Sequence, residues 1–400
     1  MARVLSAKAS FWVAAAVVAH TLWTSAAPGM IYPVYASQWH LTTTMTTAIF
    51  SVYPIVVVVV LVAFGDISDF IGRRTTMLIG LSASMIGVLL FAIAPNIAVL
   101  FVGRVFMGIG VGLTAGPSTA ALAEFSRGSN PRLAGSAAII GQATGFASAL
   151  LVGGFLVQYA PYPTRLSFIV LLCLLVVLSA FAYFLPQQRT KNEARWHPKL
   201  PNVPREIRSS FLAAAVTVMT AYTHGVTITS LGAQIAKELV QSPNVFVNSV
   251  TLALFAIALG ITGLGTHKLK ATTSAALGSV FSVIGTAFLV GAVFEHTLIL
   301  FVIATVLSGV GYALMVYGGL SIANASAPEG SRGGIMSAIF LLAYLFTGVL
   351  AVVLGKIATV QDLTTAVLCG AATMIVLCIL TLWLLARSQP AGTSTVPSHT

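Results

Sequence analysis

Apolar residues run along this chain in blocks of roughly twenty, and the polar residues fall in short intervals between the blocks. A helix that crosses a bilayer needs about 20 mostly apolar residues, because every backbone N–H and C=O must find its partner inside the segment. Twelve such blocks can be drawn, at 10–34, 43–65, 75–94, 98–122, 133–159, 164–186, 208–233, 245–265, 272–293, 297–323, 334–356 and 363–386. The longest polar interval, "PQQRTKNEARWHPKLPNVPREIR" at 186–208, contains four prolines and many charges and separates six blocks from six. The pattern predicts an all-α polytopic membrane protein of twelve spans. It comprises an N-terminal six-helix bundle at 1–186, a linker at 187–207 and a C-terminal six-helix bundle at 208–400 that ends in a short tail.

Composition agrees, with 58% hydrophobic and 7% charged residues and a mean hydropathy of +0.98. The net charge of +11 would suit a nucleic-acid partner, but its distribution excludes one. An even number of spans leaves both termini on one face. Sixteen of the 20 Lys and Arg fall there, including Arg3, Lys8, Arg73, Arg74, Arg127, Arg132 and the run from Arg189 to Arg208. Arg165, Lys237 and Lys356 fall on the opposite face, and Arg104 falls within span four. This bias makes the terminal face cytoplasmic. The expectation is a multi-pass protein of the cell inner membrane, with the lipid bilayer as its partner and no nucleic acid. Residues 1–27 end in small residues like a signal peptide, but the apolar run continues too far, so they read as an uncleaved first span. Cys173, Cys369 and Cys378 lie inside apolar blocks without metal or pairing spacing and read as packing residues.

The halves are related at an offset of about 200. "SFWVAAAVVAHTLWTS" at Ser10 matches "SFLAAAVTVMTAYTHG" at Ser210, "RVFMGIG" at Arg104 matches "TVLSGVG" at Thr305, and "PRLAGSAAI" at Pro131 matches "SRGGIMSAI" at Ser331. Transporters are often built from such repeats, with substrate held near the midplane between them.

Between spans two and three the stretch "GDISDFIGRRTT" concentrates charge. Gly65 and Gly72 permit tight turns, Arg73 and Arg74 hold the loop at the basic face, and Asp69 can accept N–H bonds from a helix N-terminus or pair with Arg73. Gly65-x-x-x-Asp69-x-x-Gly72-Arg73-Arg74 at this place resembles the signature loop of the major facilitator superfamily. "LFVGRVFMGIGVG" at 100–112 and "AAPGMIYPVY" at 26–35 resemble stretches of spans four and one in its drug:proton antiporters. The glycine- and proline-containing motif of span five should fall at 141–154, where the glycines occur without the proline. The equivalent loop of the second half, "TGLGTHKLKATT", has no acid. The resemblance implies two bundles that rock about a central cavity, a self-sufficient monomer, no cofactor, and a proton gradient as energy source. It also implies that Asp69 docks on the start of span eleven, near Ser331 to Ile335, when the cytoplasmic side closes. If it did not, the loop's charge would fix topology alone.

No Asp or Glu falls at mid-membrane, so the deep ionisable residues are Arg104, His20 and His224. Placing an arginine at the centre of a lone span costs at least ~2.5 kcal/mol. Arg104 should therefore face the bundle interior, where it ties helices together, recognises an anion or couples to a titrating neighbour. His20 and His224, on equivalent spans one and seven, are either hydrogen-bonded core residues or proton carriers. In "TAYTHGVTITS" the residues Thr220, Thr223, Thr227 and Ser230 share one helix face beside Tyr222 and His224, a face suited to a water-filled cavity. Trp23, Thr24, Thr114, Ser118, Gln142, Tyr312, Tyr317 and Tyr344 are further cavity candidates, aromatic and polar as an amphipathic ligand requires.

Metalloprotease, serine-hydrolase and phosphate-loop motifs and deep paired carboxylates are absent from the sequence, so neither an enzyme nor a metal site is expected. The sequence thus predicts a secondary transporter of a small amphipathic or drug-like compound, by proton-linked efflux. The alternative is an organic-anion symporter or uniporter using Arg104.

Overall fold

Polar side chains placed at the ends of the apolar blocks start several of the helices. Ser6, Thr42, Asn96, Asn244 and Asp362 each accept a hydrogen bond from a backbone N–H of the first helical turn, at 3.3, 3.3, 3.3, 3.0 and 2.7 Å. The structure, a computed structural model, describes residues 4–126, 131–187, 203–328 and 332–388. Outside the described residues lie Arg3, Arg127, Arg189, Lys191, Glu193, Arg195, Lys199, Glu329 and Ser331, with most of the expected linker. The side chains of Pro131, Arg132 and Arg332 lie outside them too.

Twelve helices among the described residues are long and apolar enough to cross a membrane. Spans one to six are Ala7–Ala26, Thr43–Phe64, Arg73–Ile93, Ile97–Phe125, Leu133–Tyr159 and Pro163–Tyr183. Spans seven to twelve are Arg205–Leu239, Val245–Lys268, Ala271–Phe294, Leu298–Ser326, Gly334–Val360 and Leu363–Arg387. No strand occurs among the described residues. The protein is a twelve-helix membrane protein, as the apolar blocks predict.

Two spans differ from a plain helix. Span one ends at Ala26, turns through 27–31, and resumes as the short helix Tyr32–Trp39. Pro28 has no N–H to continue the ladder, and the Gly29 N–H bonds the Ala26 carbonyl three residues back. Span seven is α-helical to Gly225, then widens into π-helix over Val226–Leu231 and again over Ile235–Leu239. The i, i+3, i+4 spacing of its hydroxyls therefore does not hold past Gly225.

Small residues let spans three and four meet closely. Gly80 and Gly110 approach each other, Gly87 approaches Gly103, and a Cβ on Gly110 would strike Ser84. Spans nine and ten repeat the arrangement, with Gly278 against Gly311 and with Gly311 against Ser282. Between the two halves of the chain, span two packs on span eleven and span five on span eight.

Candidate functional site

Several hydrogen bonds cross between the halves toward the face opposite the termini. Thr44 donates from its backbone N–H and from its hydroxyl to Thr359 Oγ1, both at 2.9 Å, and also from its hydroxyl to the Gly355 carbonyl at 3.2 Å. Ser51 donates to the Gly348 carbonyl at 2.8 Å, Gln234 to Thr43 Oγ1 at 3.2 Å, and the Val245 N–H to Gln158 at 2.8 Å. Hydrogen bonds thus tie the halves on that side of the midplane, while nearer the terminal face Ile139 and Ala143 of span five pack on Gly263 and Gly260 of span eight.

At the terminal face, Asp69 is exposed and its carboxylate has no partner among the described residues. It does not pair with Arg73, whose Nη1 lies 2.5 Å from Glu124 Oε2 at the end of span four. Arg74 stacks over the Tyr183 ring at 4.7 Å and donates to the Leu185 carbonyl at 3.4 Å, next to span six. Both arginines therefore bind the loop to its own half and leave the acid free. Gly72 has φ 89°, where a side chain would be strained. Gly65 stays right-handed at φ −58° and is exposed, and a Cβ there would strike the Leu61 carbonyl one turn back in its own helix, so the glycine relieves local backbone crowding.

Arg104 is fully enclosed. Its Nε and Nη2 donate to the Tyr32 hydroxyl at 2.9 and 2.5 Å, and Nη1 donates to the Ser25 carbonyl at 3.1 Å. The break in span one makes this bond possible. Gly29 would reach the Ser25 carbonyl in a continuous helix, but it turns to Ala26, and the guanidinium takes the freed acceptor. The rings of Tyr32, Tyr53 and Phe91 lie 5.6, 5.4 and 5.9 Å from the charge. Of the roles open to Arg104, this geometry is the helix tie. Sequence reading missed Ser25 and Tyr32, although the Pro28-Gly29 pair marked where a carbonyl would be orphaned.

His20 and His224 do not face the gap between the halves. Each points into its own half toward a serine of the third helix of the repeat. His20 Nε2 lies 3.4 Å from Ser84 Oγ, with Nδ1 2.6 Å from the Val17 carbonyl. His224 Nε2 lies 2.9 Å from Ser282 Oγ. Neither ring reaches the central cavity that the resemblance implies: the small residues Gly110 and Gly311 leave space for the two serines inside the halves, and the rings pack against them. The halves are unlike in one respect. Both ring nitrogens of His20 have protein partners, whereas His224 also borders a cavity of about 30 Å³ with Thr227, Thr286 and Ser308 on its wall, room for a water molecule.

The hydroxyl face of span seven turns inward likewise. Thr220 is fully buried, donating to the Val216 carbonyl at 2.7 Å and sitting 3.2 Å from Thr381 Oγ1 of span twelve, so this face packs within the second half. Thr24, Thr114 and Ser118 are buried in the first half. Thr114 bonds the Gly110 carbonyl of its own helix at 2.8 Å.

The residues that do gather between the halves are aromatic. Tyr222 stacks on Tyr312 with centroids 5.9 Å apart and meets Tyr344 edge-on at 5.0 Å. Tyr312 meets Phe255 at 5.5 Å, and Phe255 meets Phe146 of the other half at 5.7 Å. The four spans of the second half place these rings near mid-height, and the three tyrosines are half-buried. Gln142 is exposed on the arc of span five between Gly141 and Gly145, which pack on span one, and Ile139 and Ala143, which pack on span eight. Trp23 is half-buried against the core of the first half, and Tyr317 is half-buried on span ten. Phe255 and Phe146 were missed because a phenylalanine in an apolar block carries no signal of its own.

Comparison with known proteins agrees with this architecture. A sequence model of the Major Facilitator Superfamily matches residues 12–351. The chain is 42% identical over 84 residues to Sugar transport protein 5 of Arabidopsis thaliana, a match that spans 21% of this chain and only 15% of that protein's length. Among solved structures, the nucleoside transporter NupG superposes with a TM-score of 0.77 at 14% identity, over 95% of this chain and 100% of the other. A peptide transporter, POT, superposes with a TM-score of 0.78 at 16% identity, over 94% of each. At these identities the structures share the fold alone.

Proposed function

The chain belongs to the Major Facilitator Superfamily and is a membrane transporter of small molecules, and from that premise we propose that it exports a small amphipathic organic compound by proton-linked alternating access. The observation that carries this reading is the mid-height aromatic cluster of Tyr222, Tyr312, Tyr344 and Phe255, set between halves that hydrogen-bond to each other toward the face opposite the termini. Stacked rings with hydroxyl edges suit a ligand that is apolar in body and polar at one end. The basic bias of the terminal face makes it cytoplasmic in the inner membrane, and the cross-half hydrogen bonds on the opposite side are those that an inward-facing state would keep. The free carboxylate of Asp69 is in keeping with this, as the loop's contact with span eleven would be broken in that state.

The superfamily neighbours that transport nucleosides and peptides fit small organic solutes as a class. The choice among them rests on the cluster, and the choice of proton-linked export on the resemblances in spans one and four. No Asp or Glu lies within the described spans at mid-height, so the coupling proton falls to a histidine, and His224, beside a mainly apolar cavity with three hydroxyls on its wall, is the one assigned. An anion carrier using Arg104 has less support, because the guanidinium is enclosed and its donors face Ser25 and Tyr32. The unit of transport is a single chain, with both bundles supplied by one molecule.

Everted membrane vesicles with an acidified lumen test this. Neutral or cationic amphipathic compounds should release luminal protons with the wild-type protein and not with Asp69→Asn. Silence for those compounds, while labelled organic anions still cross, would overturn both the substrate class and the coupling.

A further inference from the structure

A second cavity opens at the face opposite the termini, away from the aromatic cluster. The short helix Tyr32–Trp39, the end of span three with Ala94 and Pro95, and the start of span six enclose about 260 Å³. Its wall carries Arg165, Gln38, Thr164 and Trp39, and no carboxylate. Arg165 is exposed and has no acidic partner among the described residues.

The side chains of this wall carry more donors than acceptors: five N–H on the guanidinium, two on the amide and one on the indole, against the Gln38 amide oxygen and the Thr164 hydroxyl, beside the carbonyls at the end of span three. Neither Gln38 nor the Trp39 indole has a hydrogen-bond partner within the described protein. The Tyr35 hydroxyl is already used, since it donates toward the carbonyls of Phe91 at 3.2 Å and Thr164 at 3.4 Å and so fixes the two sides of the pocket to each other. A surplus of donors around a lone guanidinium selects a ligand rich in acceptor oxygens and negative in charge. A tetrahedral phosphate takes two parallel N–H bonds from arginine and has oxygens left for the amide and indole. The cavity also sits at the span ends, the depth at which interfacial Trp and Tyr meet the phosphates of the bilayer.

We propose that the cavity around Arg165, Gln38 and Trp39 binds a phosphate group, as the head group of an anionic phospholipid or as the free ion. Its occupant would steady the short helix from which Tyr32 reaches Arg104, and so the break in span one.

The test is native mass spectrometry of the full chain in detergent with added phosphatidylglycerol. Arg165→Gln should retain the lipid at least about fivefold less than wild type, and Arg165→Lys should fall between, since an ammonium cannot bind bidentately. Lys356→Gln, which removes another cation of the same face, should behave as wild type. Displacement of the lipid by excess inorganic phosphate would identify the free ion as sufficient, and resistance to displacement would identify the membrane-anchored head group. Equal lipid retention by wild type and Arg165→Gln would overturn the proposal.

Discussion

Gly355 of span eleven lies so close to Thr47 of span two that a Cβ on the glycine would collide with the threonine hydroxyl. The contact lies in the tied half of the molecule, one helical turn from the Thr44–Thr359 bond. Gly355→Val should wedge this side open and lower transport at least about tenfold, because packed interfaces of this kind switch between discrete arrangements and do not deform gradually. A cysteine at Gln142, exposed in the present conformation, should then react more slowly with an impermeant maleimide added at the terminal face.

Arg104 should matter to stability more than to substrate choice. Arg104→Ala leaves the Ser25 carbonyl and Tyr32 hydroxyl without their donor, a loss of about 1–3 kcal/mol for each unsatisfied buried group. Thermal melting in detergent should show a large drop for this variant and a smaller one for Tyr32→Phe. Flux per folded molecule should keep its preference among neutral and anionic compounds.

The spans were legible in the sequence, because a lipid-crossing helix must be apolar for about 20 residues whatever it packs against. The orientation of each span was not. A side chain facing lipid and one facing a neighbouring helix are equally apolar, so periodicity alone could not tell that His20 and His224 turn inward, or that Thr220 faces Thr381. Arg104 was legible as a buried charge, whereas its acceptor was created by the turn after Ala26, an event in three dimensions. Extending the repeat comparison to span three would have paired Ser84 with Ser282, the partners of the two histidines. The Gly72 turn was fully readable, since its φ of 89° is a glycine conformation.

Tyr344 tests the aromatic site. Its edge-on contact with Tyr222 belongs to a class worth about 0.5–1.5 kcal/mol beyond buried area. Tyr344→Ala should raise the KM for transport by about three- to tenfold and leave the maximal rate within about twofold, on the same energetic scale. Tyr344→Phe should stay near wild type in initial-rate measurements.

Asp362 caps span twelve, accepting from the Thr365 N–H at 2.7 Å and from its hydroxyl at 2.9 Å, and these bonds hold its carboxyl below the usual range. A depressed folded-state pKa contributes stability that is complete above the unfolded value of about 3.9 and is lost as pH falls through the folded one. Asp362→Ala should therefore lower the melting temperature equally at pH 7 and pH 5, and the difference from wild type should shrink only below about pH 3.9.

Alternating access is tested most directly by locking the tied side. With Cys173, Cys369 and Cys378 replaced, Thr44→Cys and Thr359→Cys stand where two hydroxyl oxygens are 2.9 Å apart, within reach of a disulfide. In proteoliposomes supplied with the amphipathic panel, flux through the double variant should fall at least about tenfold on oxidation and return on reduction, as expected if that side must open in every cycle. Undiminished flux through fully cross-linked protein would mean that the two halves do not alternate.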